Sequence, residues 1–370
     1  MIRWGGVYRY ALLTSLVACY EPPTCAIGCT ETSQCPAGNT CSHGVCVDPA
    51  ATCPTATLDI TVDNTTNSDL DHVPVLVALA PTTRFGAVTE PSTDLRFRDP
   101  ETGADLPFEI DHWDPAGASA VWVQAAHAPA KSRTKIAMTY GPDARGAADP
   151  PTVWSGYEAV WHMTTNSRVV DSRGTYQGAL PTGAMWEPAG QAGTALVFAV
   201  HGPQVELDNG ARLFDGWGAF TLEMWLRPDY ASRADVTDGA GVLDKGGSLS
   251  LGRVFDNGTD LVFQVDLHFT GSNDEYLQTA LIPEVWGYVV YTFDGRTLSL
   301  YHDGQLDSTS ETYATPEALL ASTSRFYLGD DNAAMHGAID EVRIAKTAMP
   351  ADWIRAQYLT MLGVFAKIEP

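Results

Sequence analysis

The chain has 370 residues, with 22 basic against 45 acidic side chains and a formal net charge of −23. That length allows two or three domains with cores of their own, and 45% hydrophobic against 18% charged residues excludes wholesale disorder. An acidic field of this size repels phosphate backbones and anionic headgroups, which argues against nucleic acid as a partner; its ordinary effect is solubility.

Taken in chain order, Arg3 and Arg9 form a positive n-region and Tyr10 to Val17 a short apolar stretch. The stretch is too short to span a bilayer, and residues 1–18 read as a secretion signal. Leu16-Val17-Ala18-Cys19 resembles the lipobox of bacterial lipoproteins. The resemblance implies cleavage before Cys19, acylation of its thiol and amine, and membrane attachment through the lipid alone. An exported, membrane-anchored protein of the outer membrane or cell surface is the expectation.

All seven cysteines precede residue 54, and setting Cys19 aside leaves Cys25, Cys29, Cys35, Cys41, Cys46 and Cys53. Such density over residues 19–56 predicts a small disulfide-rich stalk, because so short a stretch builds no core. Six cysteines allow 15 pairings, among which the sequence does not choose. Zinc is the weaker alternative, with no CxxC pair and only His43 at hand. The run from Cys29 to Cys46 resembles the small EGF-like or cysteine-rich stalks of bacterial surface lipoproteins.

From about residue 57 to 146 the cysteines stop and alternating strands begin. Leu58, Ile60 and Val62 alternate with polar neighbours, as in a half-buried strand. Val73 to Leu79, Leu95 to Arg98, Ala120 to Val123 and Lys135 to Tyr140 follow at short intervals, with turns such as Asp99-Pro100-Glu101-Thr102-Gly103 between them. This spacing predicts an antiparallel β-sandwich. The series Val73-Pro-Val-Leu-Val77, Thr93 to Phe97, Leu106 to Ile110, Val121-Trp-Val123 and Thr139-Tyr-Gly141 resembles the bacterial domain of unknown function 2341. Within it, Glu109-Ile-Asp111-His-Trp-Asp114 mimics the Glu-x-Asp-x-x-Glu strand of retaining glucanases. Period-2 alternation puts Glu109 and Asp111 on one face and Asp114 on the other, so the stretch reads as an acidic turn ending a surface strand.

Pro142 to Val153 reads as a short linker. Beyond it, residues 154–370 form the second unit. Phe220, Leu222, Met224 and Leu226 alternate with Thr221, Glu223, Trp225 and Arg227, which gives one core face and one mixed face. Trp161-His162-Met163, Asp171-Ser-Arg-Gly174, Gly190 to Phe198, Phe220 to Pro228, Trp286 to Gly295, Leu298 to Gly304 and Gly337 to Ile344 resemble, in order, a laminin-G-like, concanavalin A-like jellyroll. Pro350 to Tyr358 reads as a brief closing helix with Ile354 and Tyr358 paired at i, i+4. The predicted fold class is all-β: two tandem antiparallel β-sandwiches, the second a jellyroll, after the disulfide-rich segment.

Jellyrolls of this kind often hold a structural Ca2+, and the resemblance makes Asp171 and Asp340 its candidate ligands. Sugar rings stack on aromatic faces, which makes Trp217, Trp225, Trp286 and Tyr301 candidate ligand-binding residues. The expected function is binding or scaffolding, with a glycan or glycoconjugate recognised through the jellyroll. The alternative is a structural or adhesive surface protein that recognises another protein. A glycoside hydrolase or lyase is less favoured: no Gly-x-Ser-x-Gly elbow, P-loop, dinucleotide fingerprint or HExxH occurs, and no catalytic residue is assigned.

Overall fold

The computed structural model describes residues 32–35, 37, 40–42, 45–47 and 56–368, apart from 81–84, 86–87, 115–116, 165–166, 182–184, 199–203, 237–239, 272–273 and 331–334. The signal segment, Cys19, Cys25, Cys29 and Cys53 lie outside the described residues. In the stalk, β1 (Thr40–Ser42) and β2 (Val45–Val47) pair antiparallel with Cys41 opposite Cys46, and Cys35 is disulfide-bonded.

The first sandwich is built from β3 (Ala56–Asn64), β4 (Leu70–Leu79), β5 (Leu95–Arg98), β6 (Asp105–Leu106), β7 (Phe108–His112), β8 (Ser119–Ala128) and β9 (Ser132–Tyr140). Strands β3, β9, β5 and β6 form one sheet and β4, β8 and β7 the other. Ile60, Val62, Val73, Val75, Val121, Val123, Phe97 and Phe108 fill the space between them. The expected alternation at Ile60 and Val62 therefore holds.

The second sandwich contains β10 (Ala159–Trp161), β11 (Arg168–Val169), β12 (Gly178–Ala179), β13 (Met185–Glu187), β14 (Ala195–Phe198), β15 (Val205–Glu206), β16 (Phe220–Pro228), β17 (Ala240–Lys245), β18 (Leu249–Asp256), β19 (Leu261–His268), β20 (Asp274–Leu281), β21 (Gly287–Phe293), β22 (Leu298–His302), β23 (Gln305–Thr309), β24 (Tyr327–Leu328) and β25 (Gly337–Ala345). One sheet runs β13-β14-β25-β16-β21-β22-β23 with β10 also on β25, and the other runs β15-β24-β17-β18-β19-β20. Phe220, Leu222, Met224 and Leu226 point into the core between the sheets, as their alternation requires.

Helix α1 (Ala351–Met361) and β26 (Ala366–Ile368) then carry the chain back to the first sandwich, where β26 pairs with β3. The tail placed by sequence with the jellyroll thus completes a sheet of the preceding unit. Helix α1 covers the edge strand β4: Gln357 Nε2 donates to the carbonyl of Pro74, and Thr360 Oγ1 accepts from Leu76 N. Pro74 sits on a sheet edge, where a missing N–H is tolerated, and the edge is shielded from pairing with another chain.

The two sandwiches pack into four β layers. The outer face of the β4-β8-β7 sheet lies against the outer face of the β16-containing sheet, through Leu76, Trp122, Trp154, Tyr157, Trp225, Tyr288, Val290 and Ile354. The presumed linker is part of this junction: Asp149 caps the helical turn Pro150–Val153, and Val153 and Trp154 are fully buried.

A charged junction and an open sheet face

Strand β7 is buried on both sides. Phe108 enters the core of the first sandwich, while Glu109 and Asp111 face the second. The expectation of a surface turn fails here, although the shared face of the two carboxylates holds. They stay buried because the other module supplies cations. On β25, a bulge against β16 inserts Glu341 in a left-handed conformation with φ 51°. The extra residue breaks strict alternation, so Asp340, Glu341 and Arg343 all avoid the hydrophobic core of Ile339, Val342 and Ile344.

Arg343 is the centre of the junction. Its guanidinium donates to Glu341 Oε2 and, from Nη1, to Gln357 Oε1 at 2.7 Å. It lies between the rings of Trp122 and Trp154, at 4.5 and 4.8 Å from their centroids. Glu223 Oε2 is 3.7 Å from Arg343 and also accepts from Tyr288 Oη, while Tyr157 Oη donates to Oε1. Removing two such charges from water costs several kcal/mol each, and only dense pairing offsets it.

His162, at the end of β10, joins the two sides. Its Nδ1 lies 2.7 Å from Glu341 Oε1 and its Nε2 3.2 Å from Glu109 Oε2. Glu109 also accepts from Trp154 Nε1 and, at 2.7 Å, from Ser172 Oγ. Burial disfavours the imidazolium, but the flanking Glu341 and Glu109 outweigh it and hold the His162 pKa well above the ordinary value. Burial likewise raises Glu341, but His162 and Arg343 reverse this and lower its pKa. Asp111 is different. It is 8% exposed and neither carboxylate oxygen has a hydrogen-bond partner. Burial raises its pKa well above the usual carboxylate range, with Glu341 and Glu109 adding to the shift against His162 and Arg343.

The residues singled out in the sequence fall in several places. Trp217 is 4% exposed inside the jellyroll core, and Trp225 is 3% exposed in the junction, stacked on Tyr358. Neither presents a ring to solvent, because each side of the sheet that carries Trp225 is covered. Trp286 and Tyr301 are half-buried at the rim of the same face, Trp286 beneath the Arg227 guanidinium. Asp171 accepts from the backbone N–H groups of Val160, Arg173, Thr175 and Tyr176. Asp340 accepts from those of Gln191, Ala192 and Glu341. Both carboxylates therefore already organise turns of the backbone.

The outer face of the β18-β19-β20 sheet is open, and sequence reasoning missed it. Register places Arg253, Gln264 and Gln278 in one row across the three strands. Phe255, Val262 and Ala280 form the row on one side, and Asp266 and Tyr276 extend the other. Tyr276 is 61% exposed, whereas Phe255, Arg253 and Asp266 are half-buried. Arg253 lies 3.5 Å from Asp266 and over the ring of Phe255, and its Nε has no partner. Gln264 Nε2 donates to Asp266 Oδ1. The face thus offers two aromatic surfaces flanking guanidinium, amide and carboxylate groups. The available signal was alternation itself: Tyr276 and Gln278 are large polar groups on the face opposite Leu277 and Leu281.

Residues 201–355 match the family model Laminin_G_3, described as the concanavalin A-like lectin/glucanases superfamily. Among solved structures, the chain is similar to the botulinum neurotoxin serotype D binding domain, with 12% identity and a TM-score of 0.46 over 55% of this chain and 50% of that one. It is also similar to the binding domain of Paraclostridial Mosquitocidal Protein 1, with 12% identity and a TM-score of 0.44 over 55% and 51%. Domain 4 of AbnA, an extracellular arabinanase from Geobacillus stearothermophilus in complex with arabinotriose, matches with 15% identity and a TM-score of 0.41 over 54% and 97%. The matched region spans about half the length of the two toxin domains. No curated protein matches the chain. With its stacked antiparallel sheets the chain is all-β, and its C-terminal sandwich is a concanavalin A-like jellyroll.

Proposed function

We propose that the protein is a binding protein that recognises carbohydrate through the open face of β18, β19 and β20. The observation that carries this reading is the exposed ring of Tyr276 beside exposed Gln278 and half-buried Arg253 and Asp266 on one face of the sheet. A sugar ring offers an apolar C–H face for the aromatic and paired hydroxyls for the planar amide, guanidinium and carboxylate groups. The match of residues 201–355 to a lectin and glucanase superfamily supports the same ligand class. Binding is favoured over hydrolysis because Glu109 and Asp111, the pair that mimics a glucanase strand, are shut in the junction away from any glycosidic bond.

Export and lipid anchoring through Cys19, the disulfide framework of the stalk and a Ca2+ at Asp171 and Asp340 belong to the same proposal. Together they would hold a glycan-binding module outside the cell. A glycan array with the full chain tests the function: binding that Tyr276→Ala weakens at least fivefold, the loss of about 1 kcal/mol of stacking, is the expected result. Binding unchanged in that variant, or silence across the array, would overturn the assignment of this face. Fatty-acid labelling lost in Cys19→Ala tests the anchor, and a melting shift between EDTA and added calcium tests the ion.

A further inference from the structure

Among the described residues, Asp111 is the least explained group. A carboxylate that is more than nine-tenths buried, with both oxygens unpartnered, needs a proton or a cation beside it. Around it stand Glu109 and Glu341, both buried, against Arg343 and His162 as cations. Arg343 is already committed to Glu341 Oε2, Gln357 and Glu223, which leaves negative charge in excess on the Asp111 side.

We infer that this junction is a binding site for a divalent first-row metal cation, held by Asp111, His162 Nδ1 and Glu341 Oε1, which pins the two sandwiches together. One ligand atom from each of these three residues lies within 4.8 Å of those of the other two. The 2.7 Å between His162 Nδ1 and Glu341 Oε1 is close to the edge, roughly 3 Å, between two ligands of one ion with bonds of about 2.0–2.1 Å. Glu109 then accepts from His162 Nε2 and fixes the ring, and Trp154 and Ser172 hold Glu109 in turn. A histidine tied on one nitrogen to a carboxylate presents the other to a metal. One imidazole with two carboxylates suits Zn2+ or its first-row neighbours better than the hard, oxygen-seeking Ca2+.

An access route lies alongside. A cleft of about 400 Å3 between the modules is lined by His112, Asp114, Ser119, Gln191 and Gly193 among others. A Cβ placed on Gly193 would stand 3.7 Å from Asp111 Oδ1, so the cleft floor adjoins the orphaned carboxylate. The ligands come from β7 on one module and β10 and β25 on the other, so the ion closes the junction rather than serving either sandwich alone.

The test uses the full chain, stripped with a chelator and titrated with Zn2+ by calorimetry, with the melting temperature followed in parallel. One equivalent bound, with a rise in melting temperature, is expected, and both are lost in Asp111→Asn. The metal-free variant should melt no lower than the metal-free parent, because an amide replaces an unpaired buried carboxylate. Should Asp111→Asn fail to fold, Co2+ added to the parent gives a second readout: ligand-field absorption from a site containing imidazole, absent in Glu341→Gln. No stoichiometric uptake of Zn2+, Mn2+ or Co2+ by the parent, or equal uptake in the variants, would overturn the proposal. The outcome is independent of glycan binding, which Tyr276→Ala probes on the far sheet.

Discussion

The two outer faces of the C-terminal sandwich have similar strand chemistry and opposite surroundings. On β16 and β25, Glu223, Trp225, Asp340 and Arg343 project from apolar strands into a junction closed by the first sandwich and α1. On β18, β19 and β20, Arg253, Asp266, Tyr276 and Gln278 project in the same way, but they stay half-buried or exposed. On the closed face an arginine is a structural centre whose partners must all be present. On the open face the arginine lies over Phe255 and beside Asp266, next to the exposed ring of Tyr276. Alternation alone does not distinguish the two; coverage does.

The sharpest way to break this comparison is to remove each arginine. Arg343→Ala leaves Glu341 and Glu223 buried without their cation and should cost about 3–5 kcal/mol in denaturant unfolding. Arg253→Ala, facing solvent, should cost about 1 kcal/mol or less. Similar losses for the two would mean that the junction is not closed. The aromatic pair makes the same contrast. Trp225→Ala should destabilise by about 3–5 kcal/mol through cavity formation. Tyr276→Ala should stay within about 0.5 kcal/mol of the parent by thermal melting, while affecting ligand binding.

Turn glycines sharpen the contrast at a smaller scale. Gly304, with φ 71°, sits under α1, and a Cβ there would meet the Tyr358 side chain at 2.9 Å. Gly258, with φ 93°, ends the open hairpin and has free space around it. Gly304→Ala should therefore lose more stability than the roughly 1 kcal/mol of backbone strain expected for Gly258→Ala, as read from paired urea midpoints.

A further small effect is electrostatic. On the first sandwich, hydrogen bonds from Arg96 and Arg98 lower the Asp105 pKa to about 2. The folded pKa lies below the unfolded value of about 3.9, so the contribution is complete above that value and is lost as pH falls toward 2. Because the Asp105 side chain is 58% exposed, solvent screening holds it to about 1 kcal/mol or less. Asp105→Asn should flatten the acid limb of a pH–stability profile by no more than that.

Much of the architecture was legible from residue order. The core face of β16, the alternation in β3 and the closing helix all follow from local patterns of period two or 3.6. The burial of Glu109 and Asp111 did not follow, because a charged residue on a short strand is ordinarily solvated and the partners of Glu109 lie 45 residues away or more. One signal was present: Asp340, Glu341 and Arg343 interrupt an otherwise apolar strand, and Glu223 interrupts another. Charges in such strands need partners from elsewhere in the fold. Trp225 was misread for the same reason, since its face of the strand was identified without the layer that covers it.

The sequence by itself determined that this protein is made of antiparallel sandwiches and which side of each strand is apolar, because side-chain alternation is a property of the strand alone. Only the tertiary structure decided that two of the four layers meet outer face to outer face, that β26 returns to the first sandwich, and that one polar face is sealed while another stays open. Those outcomes depend on contacts between residues hundreds of positions apart, whose energies are set by burial and charge pairing that no local pattern contains.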